Sequence, residues 1–164
     1  MTDHLQNAVS AGRYLMIAGP TAAGKSGLAM ALAESAGGVV INADSMQLYR
    51  DLRILTARPD AADEARVPHR LYGVLDGAER ASVARWLQMA GDEVADARRR
   101  GRLPVIIGGT GMYLQAAING IAAIPDVPQA IHDSCMQLLA TQGGAAIRAM
   151  LAREDPETAA RLFD

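Results

Sequence analysis

The sequence predicts an α/β fold: a P-loop-type parallel sheet flanked by helices, followed by a C-terminal helical appendage. Three observations carry the prediction. Short apolar runs alternate with stretches of helical periodicity. The first apolar run ends in a glycine-rich loop that opens directly into a helix. After residue 120 the composition shifts, and a proline-containing connector leads only to helical patterns.

Taken in order, Tyr14-Leu15-Met16-Ile17-Ala18 reads as a short buried strand ended by Gly19-Pro20. Ser26 to Ser35 places Leu28, Ala29, Leu32 and Ala33 at helical spacing, and Gly37-Gly38 stops it. Val39-Val40-Ile41 is a second strand leading to Asn42-Ala43-Asp44. Strand, glycine loop, helix, strand is a βαβ unit, which requires parallel pairing. A mixed segment follows through Arg58-Pro59, then a polar loop, and Leu71 to Leu75 reads as a short strand. Ser82 is placed to cap a helix running to Arg100, with Val83, Trp86, Leu87, Ala90 and Val94 inward. Gly101 closes it, and Leu103 to Ile107 forms the next strand. That strand ends in Gly108-Gly109-Thr110-Gly111, and Met112 to Asn119 is helical in pattern. From Ile121 onward, the prolines at 125 and 128 mark a connector to helical stretches near Gln129–Thr141, Ala145–Arg153 and Pro156–Leu162. Asp155 before Pro156 suits a helix start. Residues 1–120 therefore read as the α/β core and 121–164 as the helical part.

Composition excludes several classes. Of 164 residues, 50% are hydrophobic and 21% charged, enough apolar material for a packed core and too little charge for charge-driven disorder. The apolar runs are too short to span a bilayer, and Met1 to Gly12 lacks the basic-then-apolar order of a signal peptide. A lone cysteine, Cys135, cannot form an internal disulfide and reads as a small, half-buried hydrophobe in a cytoplasmic protein. The net charge of −2 does not mark a strongly basic nucleic-acid binder, though a local patch can still carry phosphate contacts. The histidines (His4, His69, His132) and Cys135 show no metal-ligand spacing. His69 reads as structural. The single lysine among fifteen arginines, Lys25, lies inside the strongest motif of the chain.

That motif is Gly19-Pro20-Thr21-Ala22-Ala23-Gly24-Lys25-Ser26, a match to G-x-x-x-x-G-K-[ST] between a strand and a helix. Backbone N–H groups of such a loop turn inward as a nest, and the helix N-terminus favours an anion. Lys25 adds a compact positive charge for phosphates, and the Ser26 hydroxyl suits Mg²⁺. The loop is thus expected to bind a polyphosphate. Nucleotide-hydrolysing relatives of this loop usually place a metal-holding Asp at the end of a later strand. Here that strand ends Ile107-Gly108-Gly109-Thr110, and the available carboxylate is Asp44, at the end of the second strand. Ligands bind outside the C-terminal strand ends of parallel sheets, so Asp44, Thr110 and the phosphate loop are expected to converge on one crevice. Asp44 can serve there as a proton acceptor, as a cap for a helix over 45–52, or as both. Thr110 is either a donor to a phosphate or leaving-group oxygen or a strand-to-helix turn residue.

With these residues in view, the chain resembles the tRNA dimethylallyltransferases, or tRNA isopentenyltransferases. The resemblance rests on the phosphate loop, on Asn42-Ala43-Asp44-Ser45-Met46-Gln47-Leu48-Tyr49-Arg50, on Pro68-His69-Arg70-Leu71, and on Gly108-Gly109-Thr110-Gly111-Met112-Tyr113-Leu114, in that order. The family moves a dimethylallyl group from dimethylallyl diphosphate to N6 of adenosine 37 of tRNA, beside the anticodon. The resemblance implies that the loop holds the prenyl diphosphate with Mg²⁺, that Asp44 is the base, and that Ser45, Met46 and Gln47 place the flipped-out adenine. It sets Thr110 beside the reacting groups and puts His132 at a tRNA-contact position that is usually basic. It also implies an N-terminal portion of the family's length, with residues 121–164 part of a tRNA-binding insertion. The family's remainder completes the sheet and adds a diphosphate-binding arginine, so an exposed apolar face and self-association are expected. One departure is Ile54-Leu55-Thr56-Ala57-Arg58-Pro59, where family members usually read I-G-T-A-K-P; by the resemblance, losing the glycine bears on the local turn and Arg58 for lysine on an RNA or phosphate contact. Rival readings are a small-molecule P-loop kinase, an adenylate isopentenyltransferase acting on free nucleotide, and a polyphosphate-binding module without turnover.

Overall fold

A computed structural model describes residues 14–121 and 127–162. The N-terminal segment with His4 and most of the proline connector lie outside them. The chain divides into two compact units, Met1–Ala122 and Ala123–Asp164.

The first unit holds a sheet of four parallel strands: β1 (Leu15–Ala18), β2 (Val39–Asn42), β3 (His69–Arg70) and β4 (Pro104–Gly108). Their spatial order is β1-β4-β2-β3. Met16, Ile106 and Ile41 lie in one register row and face one apolar cluster. Val105 and Val40, one step away, face the other. Strand side chains alternate between faces, so a sheet with both faces covered reads as the continuous apolar runs seen here.

Helix α1 (Lys25–Ala36) covers one face, burying Ala29, Met30 and Ala33 against Val40, Val105 and Ile107. Gly37, left-handed at φ 60, ends it. The opposite face carries α3 (Val83–Arg99) and α4 (Gly111–Asn119). Ser82 caps α3 by accepting from the Arg85 N–H at 3.1 Å, and Arg98 and Arg99 complement the dipole in its last turn. Trp86, fully buried, stacks on Tyr113 of α4 at 4.7 Å and donates its indole N–H to the Asn42 carbonyl at 2.8 Å.

Three expectations need correction here. The strand expected at Leu71 to Leu75 is instead His69–Arg70, because Leu71 turns left-handed (φ 62) and leaves the ladder; Leu75 keeps only an isolated bridge to Tyr49. The helix expected over 45–52 is two short 3₁₀ turns, Met46–Leu48 and Arg50–Leu52, separated by extended Tyr49 (ψ 132). The last strand starts and ends one residue later than its apolar run. The polar loop contains a short helix, α2 (Ala61–Arg66), closed by a capping box between Asp60 and Asp63.

The second unit is helical. Helix α5 (Gln129–Glu154) is interrupted at Gly143 (φ 77, ψ 172), so the two expected helices are present but joined across a kink. Helix α6 (Pro156–Arg161) starts where Asp155 accepts from the Thr158 N–H at 2.9 Å. Cys135, expected to be half-buried, is exposed. Among the described residues, no helix is long and apolar enough to cross a membrane.

Candidate active site

The phosphate loop hangs from the end of β1 and delivers Lys25 and Ser26 into the first turn of α1. Its left-handed positions are Ala22 (φ 63) and Gly24 (φ 77), the latter at the helix N-cap. Alternating backbone hands aim successive N–H groups inward, which is the nest geometry. The Lys25 ammonium donates to the Pro20 carbonyl at 2.6 Å, across the loop it serves, and Ser26 is exposed.

The other wall is built at the ends of β2 and β4. Ala43 donates its N–H to the Ile107 carbonyl at 2.6 Å. Gly108 is needed at this approach, since a Cβ there would be driven into the Ala43 carbonyl. Asn42, the buried polar residue at the strand end, clamps the turn: its amide donates to the carbonyls of Asp44 (2.9 Å) and Leu71 (3.0 Å), and its Oδ1 accepts from the Asp44 N–H (2.8 Å). Asp44 thus has a fixed backbone, and its Oδ1 accepts from the Met46 N–H at 2.9 Å. That contact is a local cap, and Oδ2 faces Gly109. Thr110 occupies the N-cap position of α4 without capping it. Its hydroxyl accepts from the Ser45 N–H at 3.0 Å and donates to Ser45 Oγ at 3.4 Å.

These walls meet. A Cβ placed on Gly109 would stand 3.9 Å from the Gly19 carbonyl and 4.0 Å from Asp44 Oδ2. Phosphate loop, Asp44, Ser45 and Thr110 therefore share one mouth at the C-terminal strand ends, the position expected of a parallel sheet. Met46 is about half exposed beside it. Gln47 points elsewhere, donating to the Thr56 carbonyl at 2.8 Å, and lines a neighbouring cleft with Ser26, Arg58, His69 and Tyr72. His132 belongs to the other unit, exposed on α5, with Nδ1 3.4 Å from Asp133.

Burial pushes the Tyr72 hydroxyl far above the ordinary tyrosine range, helped by the Asp44 charge and opposed by Arg58. Burial also raises Tyr113, with smaller contributions from Tyr49 and Asp44. Both phenols stay protonated at neutral pH. Sequence reasoning missed Asn42 as the clamp and noted Arg58 only as an arginine in place of the family's lysine, without its inward path. The first was visible as a polar residue closing an apolar strand, whereas the second depends on a chain path that no local pattern reveals.

A family model described as IPP transferase matches residues 47–163, and one described as isopentenyl transferase matches residues 12–81. The chain belongs to the IPP transferase family. Within that family it is 56% identical over 162 residues to a tRNA dimethylallyltransferase of Rhodospirillum rubrum, covering 99% of this chain and 49% of that protein. It is 54% identical over 151 residues to one of Rhodopseudomonas palustris, covering 92% and 48%. The chain thus spans about half the length of the curated relatives it matches. Among solved structures it is similar to a eukaryotic dimethylallyltransferase acting on tRNA (TM-score 0.77, 30% identity, 92% of this chain and 37% of that one). It is also similar to the tRNA isopentenylpyrophosphate transferase of Bacillus halodurans (TM-score 0.66, 34% identity, 92% and 50%).

Proposed function

We propose that this chain carries the donor and acceptor ends of a tRNA prenyl transfer, from dimethylallyl diphosphate to N6 of adenosine 37. The observation that supports this reading most is the shared mouth of the phosphate loop, Asp44 and Thr110 in a member of this family. The backbone from Gly19 to Gly24, the Lys25 ammonium and the Ser26 hydroxyl hold the diphosphate. Lys25 must then leave the Pro20 carbonyl for the phosphate oxygens. The N6 lone pair attacks C1 of the prenyl group as the C1–O bond breaks, and the bonding pair leaves on the diphosphate. Charge grows on that leaving group, so Lys25 and the loop N–H groups stabilise the transition state more than the ground state. The N6 proton passes to the Asp44 carboxylate, which Asn42 and the Met46 N–H hold in place.

Ser45, Met46 and Thr110 position the adenine, Gln47 being engaged with the Thr56 carbonyl instead, and the helical unit with His132 contributes RNA surface. Reaching N6 in the anticodon loop requires the base to swing out of its stack. The exposed Ser26 hydroxyl, an oxygen donor at the phosphate loop, is the protein group that would hold Mg²⁺. When bound with the diphosphate, Mg²⁺ would supply charge neutralisation on the leaving group.

The deciding experiment is thermal unfolding with Mg²⁺ and either dimethylallyl diphosphate or ATP, with Lys25→Ala as control. A ligand of the folded state raises Tm by mass action. Stabilisation by the prenyl diphosphate that Lys25→Ala abolishes is the expected result; stabilisation by ATP alone replaces this reading with a kinase. Alkylation of an anticodon stem-loop RNA, lost in Asp44→Asn with diphosphate binding retained, then tests the acceptor half.

A further inference from the structure

Beside the mouth, on the α1 face of the sheet, lies a cleft floored by Val40 and Ile107 and walled by Ser26, Arg58 and Tyr72. Arg58 reaches it by an unusual path. The turn after Leu52 closes with Ala57 left-handed (φ 48), and the Arg58 N–H donates to the Arg53 carbonyl at 3.1 Å. The position where family members carry glycine, Leu55, is exposed and has no positive φ. The Arg58 side chain then folds inward over Gly73, where a Cβ would collide with the guanidinium.

The inward arginine is poorly matched by protein. Among the described residues no carboxylate pairs with it; its Nη1 makes only long contacts to the carbonyls of Tyr49 (3.4 Å) and Arg50 (3.3 Å). Its Nε is buried with no hydrogen-bond partner. Asp63, the acidic side chain of the cleft, is engaged in the capping box of α2. A half-buried cation with unused donors is costly unless an anion completes it. Ser26 of the phosphate loop lines the same cleft.

We propose that Arg58, which shares its cleft with Ser26, is a second cation of the diphosphate subsite beside Lys25, gripping the terminal phosphate of the prenyl diphosphate through its guanidinium fork. This rests on the prenyl-diphosphate reading above. It assigns Arg58 a role in substrate class: the fork rewards a diphosphate and adds little to a monophosphate, which the loop alone can hold.

The test is calorimetric titration of the whole chain, with Mg²⁺, by inorganic diphosphate, dimethylallyl diphosphate and dimethylallyl monophosphate. Arg58→Gln is expected to weaken both diphosphates by about tenfold or more while changing the monophosphate by less than about threefold. Arg58→Lys, which keeps the charge and loses the fork, is expected to fall between. Diphosphate affinities within about twofold of the unaltered chain in Arg58→Gln overturn the proposal, as does a lowered Tm with affinity intact, which marks a purely structural arginine. A loss of stem-loop RNA affinity with diphosphate binding unchanged overturns it too. Should Arg58→Gln not fold, the Nε–H resonance of Arg58 in the unaltered chain decides: it shifts on diphosphate addition if the proposal holds and stays fixed if it fails. An unaltered chain that binds neither diphosphate overturns the functional reading as well, whereas binding indifferent to Arg58 overturns this inference alone.

Discussion

The two units of the chain solve the problem of holding shape differently. In the α/β unit every residue of β2 and β4 is buried, apolar clusters fill both faces of the sheet, and the buried polar residue, Asn42, has its amide and carbonyl groups satisfied. In the helical unit, α5 buries no side chain among those described, Ala159 is the buried residue of α6, and Ile131, Met136, Leu139 and Met150 are exposed. The difference teaches where precision resides. The groups proposed to act together, Lys25, Asp44 and Thr110, all follow strand ends anchored in a dense core. The RNA-facing role proposed for the helical unit asks only for a surface.

The sharpest way to break this contrast is Trp86→Ala. It removes a fully buried ring, its stack on Tyr113 and its bond to the Asn42 carbonyl, so urea unfolding of the α/β unit is expected to lose about 3–5 kcal/mol. A smaller loss would mean that the core is less tightly packed than its burial indicates. Gly108→Ala comes next, with an expected loss of about 1–3 kcal/mol from forcing a methyl into the Ala43 carbonyl. It should also slow alkylation of a stem-loop RNA, because the wall carrying Asp44 must shift. Ser82→Ala, which deletes the cap of α3, is expected to cost about 1 kcal/mol in the same transition. On the other side, Met150→Ala should change stability by less than about 0.5 kcal/mol, as an exposed residue in the helical unit.

The finest distinction is in pH. Burial raises Glu93, on α3, above the ordinary glutamate range, so its contribution to stability is full below that range and is lost as pH rises through its folded value. Asp155 is held below the ordinary aspartate range by its bonds to Thr158, so its contribution is present above that range and is lost as pH falls through its folded value. Acid titration followed by amide exchange should therefore expose Thr158 first, and Glu93→Gln should flatten the rise in α/β-unit stability on acidification.

Where structure is local, the sequence is transparent. Period and caps mark α1, α3 and α4, and apolar runs mark β1, β2 and β4, each within a residue or two. The phosphate loop is legible because its chemistry is written in consecutive residues. The misses are non-local. His69-Arg70 becomes a strand only because β2 lies beside it, and Leu71 leaves the ladder through a left-handed φ that no leucine advertises. The 45–52 segment has helical composition, yet Tyr49 is extended, and its hydroxyl accepts from the Ala81 N–H while the Arg50 N–H reaches the Leu75 carbonyl. Arg58 gives no local sign of its inward path, which Gly73 and the turn at Ala57 set.

The strand order has a consequence for synthesis. β1 pairs with β4 and not with β2, although β2 follows it directly in the chain. A growing polypeptide therefore completes the phosphate-loop sequence early but has nothing to pin it against until Pro104–Gly108 has cleared the ribosome and slid between two older strands. Such distant pairing slows folding and prolongs the exposure of Leu15–Ala18 to wrong neighbours. The loop between β1 and α1, translated before Pro104–Gly108, takes its final shape only once that later strand has arrived.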